Sequence, residues 1–349
     1  ESGVVAGWTL HYTVLSASGA LAGQSPAEIQ AMFSVLTQDA ALNLFWFVGF
    51  MVLTVLVVLG GVRRGIERWA LILMPTLLLM LVALLIRSFS LDGFPRAVEF
   101  IFSLNADRLT SAGVLEAMGH AVFTLSLGMG GMLTYGSYLS RKESIVGGSL
   151  AVGALDTIIA LLACMVIFPI TFTFAMEPAA GPGLVFTNLP IAFAQLPAGA
   201  LLSTVFFALL VFAALTSAIA LLEVTTSYFI DEHGWRRHKA TLVSASLVTV
   251  LGVPSALTGS TALFGSGMQE TRGADWFTLI SAAVSNWMLP LGGLGMALFA
   301  AWILPEQLRR TEFTTGTRLV GLYRIWLLVL RFGVPIAVVA VFGHAIGLF

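Results

Sequence analysis

Residues 120–138 read HAVFTLSLGMGGMLTYGSY, an apolar stretch of membrane length interrupted by Ser126, Gly128, Gly130 and Gly131. In hydrocarbon a backbone can leave helical geometry only where protein or a water-filled cavity satisfies the freed N–H and C=O groups. The interruption therefore predicts a broken membrane helix with a binding site at the break. Half-helix ends present N–H dipoles to anions and carbonyl oxygens to cations, so such a break suits a solute and an accompanying ion.

Composition agrees with a membrane setting. The chain has 349 residues, is 58% hydrophobic and 10% charged, and carries 25 Phe and 8 Trp; its mean hydropathy is +0.95. A soluble domain carries about 25% charged residues. The chain reads as a polytopic all-α membrane protein, with the lipid bilayer as its surroundings. Cys164 is the single cysteine and can form no intrachain disulfide. A net charge of −1, without an Arg-rich arm, gives no reason to expect a nucleic-acid partner.

Taking roughly 20 apolar residues per crossing, spans are expected near 3–20, 42–62, 69–91, 116–139, 145–174, 201–230, 240–258, 276–304 and 325–348, about nine in all. Thirteen of the 17 Lys and Arg fall on one side of this alternation, among them Arg63, Arg64, Arg68, Arg141, Lys142, Arg236, Arg237, Lys239, Arg309 and Arg310. Arg87, Arg96, Arg108 and Arg272 fall on the other. The positive-inside rule makes the first side cytoplasmic and the location the cell (inner) membrane. Residue 1 then lies at a cytoplasmic helix end without a Lys or Arg flank, so the first helix reads as cut and upstream sequence as absent. The outside loops 21–41, 92–115 and 175–200 mix apolar and turn residues. The last, with Pro178, Pro182, Pro190 and Pro197, is expected to fold back over the protein.

Five stretches carry a resemblance: FTLSLGMGGMLTYGSYL (123–139), ALDTIIALLACMVIFP (154–169), GPGLVFTNLP (181–190), AALTSAIALLE (213–223) and SNWMLPLGG (285–293). In this order they resemble bacterial members of the neurotransmitter:sodium symporter family, over essentially the whole chain. The resemblance implies a leucine-transporter-type inverted repeat of five plus five helices, with the substrate held between the broken first and sixth. The nine spans would be family helices three to eleven, the first two being missing here. Residues 1–349 would form a single transmembrane transporter domain: 1–115 the remainder of the first repeat with its connecting loop, 116–304 the second repeat, and 305–349 a linker and extra helix.

The resemblance also implies sodium-coupled uptake of an apolar or aromatic L-amino acid by alternating access, or alternatively of another small zwitterionic solute. Thr124 and Asp156 would form the first Na+ site, completed by the substrate carboxylate, and the Asp156 charge would make transport chloride-independent. Ala213, Thr216 and Ser217 would form the second Na+ site; hydroxyls at this spacing equally suit bonding back to carbonyls one turn earlier. Phe123, Thr124, Ser126, Gly128, Met129, Ser217 and Leu221 would bind substrate, although Phe, Met and Leu at helical spacing also suit plain packing. Ser137, Tyr138 and Asp231 would form the inner gate, with Asp231 alternatively an ordinary solvated charge. Asp156 draws notice on physical grounds as well, since an ionisable group inside a span costs roughly 2.5–3.5 kcal/mol on insertion scales; a pairing with His120 is its other reading. His120 stands near the family's chloride position, where it would exchange protons or simply donate one hydrogen bond. Two positions depart from the family pattern: Ser2 where a tyrosine is usual, and Ser281 where an aspartate is common, with Asp275 the nearest acid.

His120, Ser126 and Asp156 supply the residue types of a hydrolytic triad, yet no G-x-S-x-G elbow or H-E-x-x-H motif occurs, which argues against an enzyme. A channel would need a continuous polar lining, whereas the polar residues here are isolated at a few span centres. Trp69, Trp235, Trp276 and Trp326 lie near span ends as interfacial anchors.

Overall fold

The computed structural model describes residues 2–103, 109–140, 143–176, 181–317 and 319–345. Arg108, Arg141, Lys142 and Pro178, named above, lie outside them. The described residues are helical nearly throughout. In chain order the helices are α1 (Ser2–Ala17), α2 (Pro26–Gln38), α3 (Ala40–Leu59), α4 (Arg68–Ser88), α5 (Phe94–Phe102), α6 (Ser111–Thr124), α7 (Gly131–Tyr138), α8 (Ile145–Thr173) and α9 (Leu189–Gln195). They continue as α10 (Gly199–His233), α11 (Arg237–Ala256), α12 (Ser266–Arg272), α13 (Trp276–Ala283), α14 (Leu289–Leu298), α15 (Glu306–Thr314), α16 (Tyr323–Leu328) and α17 (Val334–Ala345).

Among the described residues, seven continuous helical stretches are long and apolar enough to cross a membrane: Ala40–Leu59, Gly65–Ser88, Ile145–Thr173, Gly199–His233, Arg237–Ala256, Trp276–Ile303 and Val320–Gly343. Each overlaps an expected span. The other two expected spans differ from a continuous crossing. Residues 3–20 give the 16-residue α1, which ends at Ala17, and 116–139 give two half-helices, α6 and α7.

Two compact units are distinguished by packing: residues 1–103 with 160–279, and 104–159 with 280–349. In the first, α1 lies against α10 and α3, and α10 also against α4 and α11. Small residues let these backbones approach: a Cβ on Gly7 would stand 2.8 Å from the Phe47 amide nitrogen. The buried Asn43 amide accepts from Trp8 Nε1 (2.9 Å) and donates to the Ala256 carbonyl (2.8 Å), tying α1 and α3 to the end of α11. Tyr12 is fully buried between Phe186 and Phe207, with ring centroids 5.3 and 5.0 Å away.

Phe186 belongs to the loop expected to fold back. Leu184–Asn188 form a π-helical turn that runs into α9, and Phe186, Leu189, Ala192 and Phe193 are all buried. The 21–41 loop likewise contributes α2, whose Ile29 and Leu36 are fully buried. Its start is fixed by a capping box between Ser25 and Glu28, whose hydrogen bonds hold the exposed Glu28 carboxyl below the usual glutamate range.

Proline inside α8 removes a donor that a neighbouring helix restores. Pro169 leaves the Met165 carbonyl without its helical N–H, and Ser88 Oγ donates to that oxygen at 2.9 Å. One buried ion pair closes the unit at the α10–α11 turn: Arg237 forks onto both Glu223 oxygens, and its Nε donates to the Val58 carbonyl at 2.9 Å. Glu223 is fully buried, whereas the Arg237 side chain is 23% exposed. Glu223→Gln should therefore strand the guanidinium and lower stability by about 3 kcal/mol. A thermal melt in detergent micelles should show this loss, and the double replacement Glu223→Leu with Arg237→Met should recover most of it.

Candidate functional site

In the second unit α6, α14 and α17 pack together, and the break between α6 and α7 lies against α14. The α6 helix ends in a Schellman motif: Leu127 N–H donates to the Val122 carbonyl at 2.9 Å and Ser126 N–H to the Phe123 carbonyl at 3.0 Å. This requires left-handed backbone at residue 126, where φ is +53° for a serine. A non-glycine residue there costs roughly 1–2 kcal/mol. Gly128 (φ +85°) and Gly130 (φ +82°) follow, and Gly130 is the N-cap of α7. Residues 125–130 thus leave the helix where the sequence places the interruption; Gly131 is already helical.

Close backbone packing holds this segment. A Cβ on Gly128 would stand 2.3 Å from the Leu289 carbonyl oxygen and 2.8 Å from the Gly293 nitrogen. Reciprocally, a Cβ on Gly292 would stand 2.5 Å from the Gly128 oxygen. The LPLGG run of α14 is therefore the surface on which the helix breaks. Before it, Val284–Met288 form a π-helical turn ahead of Pro290, the same arrangement as Leu184–Asn188 ahead of Pro190 in the other unit. In both, the proline nitrogen has no hydrogen to give the preceding turn.

Among the expected site residues of this unit, Phe123 is 44% exposed, and Ser126, Gly128 and Met129 are half-buried along the break. Thr124 is the last residue of α6 and its hydroxyl reaches the Ala121 carbonyl at 3.4 Å. Asp156 is half-buried in α8, and among the described residues it has no hydrogen-bond or ion-pair partner, His120 included. His120 and Phe123 instead border a cavity of about 470 Å³ with Glu116, Ser285 and Asn286. Ser137 Oγ donates to the Thr134 carbonyl at 2.7 Å, and Tyr138 is exposed at the end of α7.

In the first unit, Thr216 Oγ1 and Ser217 Oγ donate to one acceptor, the Ala213 carbonyl, at 2.8 and 3.3 Å. Three oxygens consequently cluster on one face of α10. Hydroxyl hydrogens rotate, so the same oxygens can turn their lone pairs outward to a cation or bond back to the carbonyl. Leu221, one turn beyond Ser217, is 38% exposed. Asp231 is exposed near the end of α10 and has no ion-pair partner among the described residues. Asp275 accepts from Thr278 N–H at 2.8 Å, which makes it the cap of α13.

Sequence reasoning passed over Gly292, Glu116, Asn286 and the Glu223–Arg237 pair. Glu223 carried a usable signal, a carboxylate inside an apolar span, as at Asp156. Gly292 carried none, because a close approach between distant backbones leaves only a glycine in the sequence.

A membrane helix broken on a glycine contact is the feature expected of a broken-helix membrane transporter. Residues 27–343 match the sodium:neurotransmitter symporter family, and the chain belongs to that family. It is 35% identical over 350 residues to an uncharacterized sodium-dependent transporter, YhdH, of Bacillus subtilis (strain 168), covering 99% of this chain and 76% of that protein. An uncharacterized sodium-dependent transporter of Haemophilus influenzae is 30% identical, with 97% and 74% covered. The crystal structure of MhsT in complex with L-phenylalanine superposes with a TM-score of 0.87 at 38% identity, over 99% of this chain and 77% of that one. The protein is thus a multi-pass membrane transporter of leucine-transporter fold, and not an enzyme.

The glycine contact has a direct test. Gly128→Ala and Gly292→Ala should each lower the melting temperature, at a cost of about 2 kcal/mol or more from overpacking and strain. Ser126→Gly should leave the break intact and raise stability by about 1 kcal/mol, since glycine adopts the left-handed backbone without penalty.

Proposed function

We propose that this protein couples downhill sodium movement to uptake of an apolar or aromatic L-amino acid, without chloride, by alternating access in the cell membrane. The observation that carries the reading is the broken segment 125–130 held against Leu289–Gly293, which leaves polar backbone groups of a membrane helix outside the regular helical ladder. The sodium-dependent relatives support the coupling ion, and the L-phenylalanine in the MhsT structure supports the solute class. Residues 116–304 act as the second repeat, 1–115 as the remainder of the first, and 305–349 as a linker and extra helix.

Phe123, Thr124, Ser126, Gly128, Met129, Ser217 and Leu221 bind the amino acid. The backbone near Ser126 and Gly128 takes its head group, and Met129 and Leu221 provide an adaptable apolar wall. Thr124 and Asp156 hold one sodium ion together with the substrate carboxylate. The Asp156 carboxylate, without a partner among the described residues, supports this role, since a charge inside a span needs a counter-charge. It also supplies the negative charge that chloride would otherwise bring. Ala213, Thr216 and Ser217 hold the second ion, exchanging two hydroxyl hydrogen bonds for one cation. Ser137, Tyr138 and Asp231 form the inner gate.

Uptake of labelled phenylalanine, tryptophan and leucine into proteoliposomes tests this reading. Saturable uptake is expected with external sodium, unchanged when gluconate replaces chloride, and reduced at least about 100-fold by Asp156→Ala. Thr216→Val with Ser217→Ala should raise the sodium concentration for half-maximal uptake at least about tenfold. Equal transport in potassium would sink the sodium coupling, and chloride dependence would sink the role given to the Asp156 charge.

A further inference from the structure

A second cavity of the unit formed by 104–159 and 280–349 lies away from the broken helix. It measures about 300 Å³ and is bounded by the first turns of α8, the helix end at Leu304, α15 and α16. Its walls are mostly apolar, with Ile145, Leu150, Leu304, Phe313 and Trp326 among them. At its base is Arg309, only 4% exposed. Arg309 Nε donates to the Tyr323 hydroxyl at 3.1 Å, and Nη1 to the carbonyls of Ala300 (3.1 Å), Ala301 (2.8 Å) and Leu304 (3.4 Å).

This guanidinium caps the C-terminal end of the 276–303 helix, where the dipole carries roughly half a negative charge. That offsets only part of a full positive charge. Among the described residues no carboxylate forms an ion pair with Arg309, and its Nη2 group makes no hydrogen bond. A buried cation with free donors, opening into an apolar cavity, is complementary to an oxyanion that carries hydrocarbon. Glu312, one turn along α15, lines the same cavity and is exposed, so the far end of such a head group meets an acceptor.

The cavity also lies where such a molecule is found. It sits between the start of one span at Ile145 and the end of another at Ile303, on the side that carries 13 of the 17 Lys and Arg. We propose that it holds the head group of a membrane phospholipid, with the phosphate on Arg309, a donor-bearing ethanolamine or glycerol on Glu312, and an acyl chain along the apolar wall. A soluble phosphate would leave that wall unused, and a choline head group has no N–H or O–H to offer Glu312.

Native mass spectrometry of the protein released from nanodiscs tests the assignment, with phosphatidylethanolamine, phosphatidylglycerol and phosphatidylcholine supplied separately. One ethanolamine or glycerol lipid should be retained at least fivefold over the choline lipid. Leu150→Trp, which sets a bulkier ring against the apolar wall of the cavity and leaves Arg309 in place, should abolish that retention while the protein still melts cooperatively. Glu312→Gln should narrow the preference over phosphatidylcholine. Arg309→Gln removes a helix cap and can unfold the protein, so Leu150→Trp carries the decision. Equal retention of all three lipids, no retained lipid, or retention unaffected by Leu150→Trp would overturn the proposal. Stabilisation by inorganic phosphate without lipid retention would also overturn it, leaving a soluble anion as the occupant.

Discussion

The rest of this structure depends on one constraint: inside hydrocarbon, each backbone N–H and C=O must find a partner within the protein. Helices meet it by themselves, which is why the described residues are nearly all helical. Where the chain departs from helix, a compensating device stands beside it. Ser88 supplies the hydrogen that Pro169 cannot give to the Met165 carbonyl. The turns before Pro190 and Pro290 widen to π geometry. The departure at 125–130 is closed by its own Schellman bonds on one side and by the glycine-lined backbone of α14 on the other. A break built this way keeps a fixed shape, and a fixed shape is what lets backbone groups act as ligands.

Buried charge follows a related logic. Glu223 and Arg237 neutralise each other at the α10–α11 turn, and the Val58 carbonyl accepts from the guanidinium Nε. Among the described residues Arg309 is met by three carbonyls and a phenol, which are dipoles and not a counter-ion. A matched ion pair is electrically complete and fixes a turn. A cation matched only by dipoles retains a field, and that difference separates a structural arginine from one suited to an anion. Asp156 is the mirror case, a carboxylate within a span without a described partner.

The main features of the fold were legible. Apolar runs located seven continuous crossings, and the glycine and serine positions in 120–138 located the break to within a few residues. The folded-back character of 175–200 was also legible, because its apolar residues, Phe186 and Phe193 among them, are too numerous for an exposed connector. Less legible were α2, hidden in a loop between spans, and the shortness of α1. The oxygens of Ala213, Thr216 and Ser217 cluster as their spacing requires, since residues three and four apart share a helix face.

What the sequence by itself determined is what repeats along one helix or depends on local backbone chemistry: the spans, the break, and the shared face on α10. Hydrophobic run length and the left-handed tolerance of glycine are local properties, so they can be read from neighbouring residues. Only the tertiary structure decided that Gly128 rests on Leu289–Gly293, that Arg237 reaches Glu223 and Val58, and that Arg309 turns inward to a helix end. Each joins segments that pattern does not link, and a glycine or arginine looks the same in sequence whether it is buried against a partner or faces solvent.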